Sequence, residues 1–132
     1  EILIGLVGSE MCIRDSYNIA DYISDHYAES ISLDGLAGIF YLSKFYLSRS
    51  FKEVTGYGVN EYVNILRTKR AKQLLEETTL SVSEIAGTVG YESITYFEKV
   101  FKTYMSISPL KYRKTLNGIT YKNTITPEAP KQ

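Results

Sequence analysis

Apolar positions in this chain recur at helical spacing, and they do so twice in the same arrangement. Between Ser32 and Gly56 a short helix carries Leu33, Leu36 and Ala37, a turn holds Tyr41, Leu42 and Ser43, and a longer helix carries Leu47, Phe51 and Lys52. Between Ser81 and Ser106 the counterparts are Val82, Ile85 and Ala86, then Gly90, Tyr91 and Glu92, then Phe97, Phe101 and Lys102. Leu36 and Ala37 align with Ile85 and Ala86 at an offset of 49, whereas Leu47 and Phe51 align with Phe97 and Phe101 at 50, so the second turn is one residue longer. Two short helices that cross steeply need a small residue where they touch, here Ala37 or Ala86, and apolar residues one turn apart to seal the crossing. Each copy therefore reads as a helix-turn-helix. The second helix of such a unit keeps an outer face that can enter a DNA major groove.

The flanking segments continue the helical pattern. Ile19, Ala20, Tyr22, Ile23 and Tyr27 fall at helical spacing ahead of the first unit. Ser32 is placed to cap the first short helix, with Asp34 in its first turn, and Ser43 to cap the longer one, which Thr55-Gly56 ends. A helix without Pro or Gly is expected from about Asn60 to Glu77, burying Tyr62, Val63, Leu66, Ala71, Leu74 and Leu75. Its length of roughly 27 Å approaches the ~34 Å between successive major grooves on one DNA face. Ser108-Pro109 opens a last short helix, with Pro where its missing N–H costs little. The expected fold is all-α and homeodomain-like, with about seven helices. A first helix-turn-helix subdomain over 17–56, a linker helix over 57–78 and a second subdomain over 79–116 precede a flexible tail over 117–132.

Composition narrows the function. The 132 residues, 44% hydrophobic and 23% charged, suffice for one helical core of ordinary size. No apolar run approaches the ~20 residues of a membrane span. The single cysteine, Cys12, cannot form an internal disulfide, and with the single histidine, His26, it cannot build a structural zinc site. A cytoplasmic protein without cofactor is the expectation. The chain has no glycine-rich phosphate loop before a helix, and His26 lacks a nearby second ligand or nucleophile, so no catalytic residues are assigned.

The net charge is zero, yet the charges fall in blocks. Tyr17 to Leu42 holds four acids and no Lys or Arg, and Ser43 to Leu75 seven bases against Glu53 and Glu61. Glu76 to Glu98 is purely acidic, and Lys99 to Lys114 purely basic with five cations. Basic charge thus clusters at or after the longer helix of each unit, where phosphates would lie. The bland alternative is that each run is simply a solvated face.

The first sixteen residues invite a different explanation. Glu10 to Ser16 back-translates as GAG-ATG-TGT-ATA-AGA-GAC-AGN, which resembles the transposase-end sequence of common sequencing-library adapters, and Leu6 to Ser9 fits the adapter bases upstream. Residues 1–16 are therefore read as an adapter-derived, non-native leader and set aside from the fold. The alternatives are a short apolar strand or a signal-peptide core without a basic leader. On the adapter reading, native sequence begins near Tyr17 in mid-frame, and a preceding domain is missing.

From Tyr17 to about Leu116 the chain resembles the DNA-binding domain of the AraC/XylS family of bacterial transcription regulators. The resemblance rests on Leu36-Ala37, Leu42-Ser43, Leu47 to Lys52, Thr55-Gly56, Leu66-Arg67, Ala71 and Leu74-Leu75. It continues through Ile85-Ala86, Val89 to Tyr91, Tyr96-Phe97, Val100 to Lys102, Ser108-Pro109 and Tyr112-Arg113. It implies two helix-turn-helix units, joined by a central helix, that bind double-stranded DNA along one face. Carried over by position, Lys44, Phe45, Ser48, Arg49 and Lys52 would face DNA from the first unit, and Ile94, Thr95, Glu98, Lys99 and Lys102 from the second. Arg49 can grip guanine O6 and N7, or clamp a phosphate instead. Thr95 suits a thymine methyl or a hydrogen bond, and Glu98 either accepts from cytosine N4 or pairs with Lys102 one turn on. Leu47, Phe51, Tyr96, Phe97 and Phe101 are assigned to the core.

Two departures from the family bear on stability. Gly35, Gly38 and Gly87 lie in the short helices, each costing up to about 1 kcal/mol relative to Ala. The family's usual glycine after the second long helix is Ser106 here, where a left-handed backbone would be strained. The resemblance further implies a regulator, most simply an activator that engages RNA polymerase, and an N-terminal effector-binding or dimerisation domain, which many members carry while others act as the DNA-binding domain alone. The competing classes are a nonspecific architectural DNA binder, recognisable by steep salt dependence without sequence preference, and a helical protein-interaction module.

Overall fold

The computed structural model describes residues 2–116, with side chains from residue 13 onward. The tail expected over 117–132 lies outside the described residues. Six helices, α1 (Ile2–His26), α2 (Leu33–Ile39), α3 (Lys44–Thr55), α4 (Val59–Glu77), α5 (Val82–Val89) and α6 (Ile94–Met105), are followed by a seventh helical segment, α7, over 109–116. Among the described residues there is no strand, as the helical periodicity requires. The chain divides after Arg67, within α4, into two compact units.

The first unit is built on Ile19 and Ile23 of α1, Leu36 and Ala37 of α2, Leu47 and Phe51 of α3, and Val59 and Val63 of α4. Ser32 caps α2, its Oγ accepting from Gly35 N at 2.9 Å, and Ser43 caps α3, accepting from Tyr46 N at 3.1 Å. Gly56 ends α3 in the left-handed region at φ 85°, its N–H donating to the Lys52 carbonyl at 2.8 Å. α1 begins upstream of the Tyr17 start expected from the sequence. Residues 10–16 contain no Pro or Gly and include Glu, Met and Arg, good helix formers that extend a helix already nucleated downstream. Ser16 is buried, and its hydroxyl donates to the Ser50 carbonyl at 3.1 Å; two small residues let α1 and α3 approach closely.

The second unit repeats this plan with Ile85, Ala86 and Val89 of α5 and Phe97, Val100 and Phe101 of α6 against Ala71, Leu74 and Leu75 of α4. Ser81 and Glu84 form a full capping box on α5, and Ser93 caps α6. Tyr91 is buried in the turn, edge-on to Tyr96. α7 seats Pro109 in full burial and lays Tyr112 against Phe101.

Tyr96 departs from expectation, being 49% exposed rather than core. It precedes Phe97 by one residue, a rotation of about 100°, and Phe97 and Phe101 already fill the inward face.

Candidate nucleic-acid interface

Helical rotation sorts the residues of α3 onto two faces. Leu47, Ser50 and Phe51 are buried, whereas Lys44, Phe45, Ser48, Arg49 and Lys52 are exposed. Phe45, Ser48, Arg49 and Lys52 line one shallow surface depression together with Glu53. Phe45 is 81% exposed, unusual for an aromatic that could otherwise pack. Lys44 at the head of α3 pairs with Asp34 of α2 at 3.2 Å, so one cation of this face already has an acidic neighbour.

On α6, Phe97, Val100 and Phe101 are buried and Ile94, Thr95, Glu98, Lys99 and Lys102 are exposed. Among the described residues no ion pair joins Glu98 to Lys102, the pairing that was the alternative to base readout. All ten residues assigned from the sequence thus lie on the outward faces of the second helices of their units. Each face carries two or more cations.

The basic blocks contain two arginines that serve elsewhere. Arg67 donates from Nε to the Tyr27 carbonyl at 2.6 Å and from Nη2 to the Glu29 carbonyl at 2.8 Å, closing the chain just beyond the end of α1. Arg113 of α7 does the same past the end of α4, donating to the Leu80 carbonyl, to that of Thr78 at 3.1 Å, and to those of Leu74 and Leu75 at 3.4 Å. A guanidinium satisfies several helix-terminal carbonyls at once and complements the negative end of the dipole. These two cations are bound within their units, so the basic clusters include members that serve the fold.

His26 is half-buried at the end of α1, its Nδ1 donating to the Tyr22 carbonyl at 2.8 Å and its ring stacked on Tyr22. Among the described residues no group of three His, Cys, Asp or Glu side chains could hold a metal ion, and no helix is long and apolar enough to cross a membrane.

A family model described as a helix-turn-helix domain matches residues 36–115, from the core of α2 to α7. The C-terminal domain of AraT, a response regulator from Geobacillus stearothermophilus, superposes with a TM-score of 0.74 at 33% identity, over 76% of this chain and 84% of that one. The chain belongs to the AraC/XylS family. Its AraC/XylS domain is also 36% identical over 110 residues to YijO, an uncharacterized HTH-type transcriptional regulator of Escherichia coli K12. That match covers 83% of this chain and 39% of YijO, so the chain spans about two fifths of the length of that curated relative. The DNA-binding domain of AdpA, a global transcriptional factor solved with a target DNA, shares the fold with a TM-score of 0.71 at 24% identity, over 89% of this chain and 97% of that one. Its membership of the family, not that fold likeness, makes this chain a DNA-binding domain of the transcription-regulator type.

Proposed function

We propose that the domain reads a specific operator through α3 and α6, each entering a major groove, with successive grooves on one face of the duplex taken in turn. The supporting observation is the sorting of side chains on these two helices. Phe51, Phe97 and Phe101 are fully buried, while Lys44, Phe45, Ser48, Arg49, Lys52, Ile94, Thr95, Glu98, Lys99 and Lys102 all face solvent.

In this reading Arg49 supplies bidentate contact to guanine, worth about 1–3 kcal/mol of discrimination. Glu98, which makes no ion pair with Lys102 among the described residues, accepts from cytosine N4. Lys52, Lys99 and Lys102 bind phosphates. The whole protein is then a cytoplasmic activator that contacts RNA polymerase, with a sensing or dimerising domain N-terminal to this one.

Selection of bound duplexes from a random DNA library by the full chain tests the reading. Two short motifs with centres about 10 base pairs apart are expected. Recovery of unselected sequence would instead indicate the architectural mode.

A further inference from the structure

Tyr41 holds a left-handed backbone, φ 56°, in the turn between α2 and α3. That conformation is disfavoured for any residue with a Cβ. The equivalent position of the second unit is Gly90, at φ 112°. The equivalence is fixed by hydrogen bonds: Leu42 N–H donates to the Ala37 carbonyl and Tyr91 N–H to the Ala86 carbonyl, both at 2.9 Å and at the same offset. The turn geometry thus asks for glycine and the first unit holds tyrosine.

The turn's backbone hydrogen bonds, from Leu42 N to the Ala37 carbonyl at 2.9 Å and from Tyr41 N to the Gly38 carbonyl at 3.4 Å, hold this conformation, but they would hold glycine equally well, and the tyrosine side chain adds nothing to them among the described residues. The Tyr41 side chain is 94% exposed, so packing does not hold it, and its hydroxyl makes no hydrogen bond among the described residues. An exposed tyrosine kept where the backbone suits glycine points to a contact of its side chain outside the chain.

The position of the turn identifies that contact. When a helix-turn-helix docks, its first helix crosses the DNA backbone and its second lies in the groove, so the connecting turn runs along the phosphate ridge. Tyr41 stands two residues before the cap Ser43 and three before Lys44, at the entry to the face that carries Phe45 and Arg49. Tyrosine hydroxyls are ordinary donors to phosphate oxygens.

We propose that Tyr41 is a backbone contact of the first unit, its phenolic O–H donating to a phosphate oxygen at the edge of the groove that α3 enters. The contact fixes the register of α3 without reading sequence. It rests on the DNA-binding mode proposed above.

The test compares the full 132-residue chain with Tyr41→Phe and Tyr41→Gly. Each is titrated with a random-sequence duplex pool about three helical turns long over a series of salt concentrations, and unfolded in urea. Tyr41→Phe keeps the ring and the strain but loses the donor; Tyr41→Gly loses both ring and strain. A hydrogen bond to a charged acceptor predicts that both variants bind about tenfold more weakly. The slope of log affinity against log salt stays that of the parent, because a neutral phenol releases no counterion. Tyr41→Gly unfolds at higher urea while binding less well. Parental affinity in Tyr41→Phe overturns the phosphate contact, as does a slope that falls by about one in either variant. A parent chain that fails to bind the duplex overturns this contact together with the DNA-binding mode it depends on; binding by the parent with both variants unchanged overturns the contact alone.

Discussion

Arg67, in the middle of α4, reaches back forty residues to hold the carbonyl of Tyr27 at 2.6 Å. The bond fastens the chain beyond α1 to α4 inside the first unit, and the same guanidinium takes the Glu29 carbonyl as well. Arg67→Met keeps the aliphatic stem and leaves both carbonyls without this donor. We expect a loss of about 1.5–3 kcal/mol, the range for charged hydrogen bonds, measured by urea unfolding. The salt slope of DNA binding should be unchanged, which would separate Arg67 from Lys52, proposed to bind a phosphate, whose replacement by Ala should lower the slope by about one.

Ser106 ends α6 at φ 66° as Gly56 ends α3 at φ 85°, each donating its N–H to the carbonyl four residues back at 2.8 Å. The geometry is shared, and only one of the two residues suits it. Ser106→Gly removes the Cβ clash of the left-handed conformation, partly offset by the greater freedom of glycine in the unfolded chain. A net gain of up to about 1 kcal/mol is expected, visible as a raised urea midpoint with an unaltered m-value.

Two helix glycines should respond differently to alanine. A Cβ built on Gly87 meets nothing within 4 Å, so Gly87→Ala should stabilise α5 by about 0.5–1 kcal/mol. A Cβ on Gly35 comes within 3.0 Å of Ser32 Oγ, the cap of α2. Gly35→Ala crowds the cap that holds the helix start, and its gain should be smaller or absent. Parallel thermal unfolding of the two variants makes the comparison.

How much of this was legible in the sequence depends on the distance over which each feature is determined. Leu36-Ala37 and Ile85-Ala86 announced the two crossings because helical spacing is local, and Ser32, Ser43 and Gly56 marked helix ends for the same reason. The outward positions of Arg49 and Lys99 followed from the inward ones of Phe51 and Phe101. Arg67 and Arg113, by contrast, looked like members of basic runs, since the carbonyls they hold lie more than thirty residues away. Tyr96 was misplaced because an aromatic beside Phe97 carries no mark of which neighbour turns inward. The left-handed Tyr41 was hidden as well, although its alignment with Gly90 was the signal that could have revealed it.

Tyr112 donates its hydroxyl to the Glu76 carboxylate, and this joins α7 to the end of α4. Burial first, then the hydrogen bond and negative charge of Glu76, push its pKa from 10.0 up to about 12. The folded value lies above the unfolded one, so the folded state retains a proton that the unfolded state gives up. The stabilisation is complete below about pH 10 and is lost as pH rises toward 12. Glu76→Gln removes the charge, which should lower the Tyr112 pKa and flatten this decline. Unfolding free energies of parent and variant, followed across that alkaline range, should converge as pH rises.

If the outward face of α3 reads bases, Arg49→Ala should change which sequences are bound and not only how tightly. Selection from a random duplex library should show the variant losing preference at one or two base pairs of one motif, with the rest of the site intact. Lys52→Ala, run beside it, should weaken binding evenly across sequences. An Arg49→Ala variant that retains every preference of the parent while binding all duplexes equally less well would contradict base readout by α3.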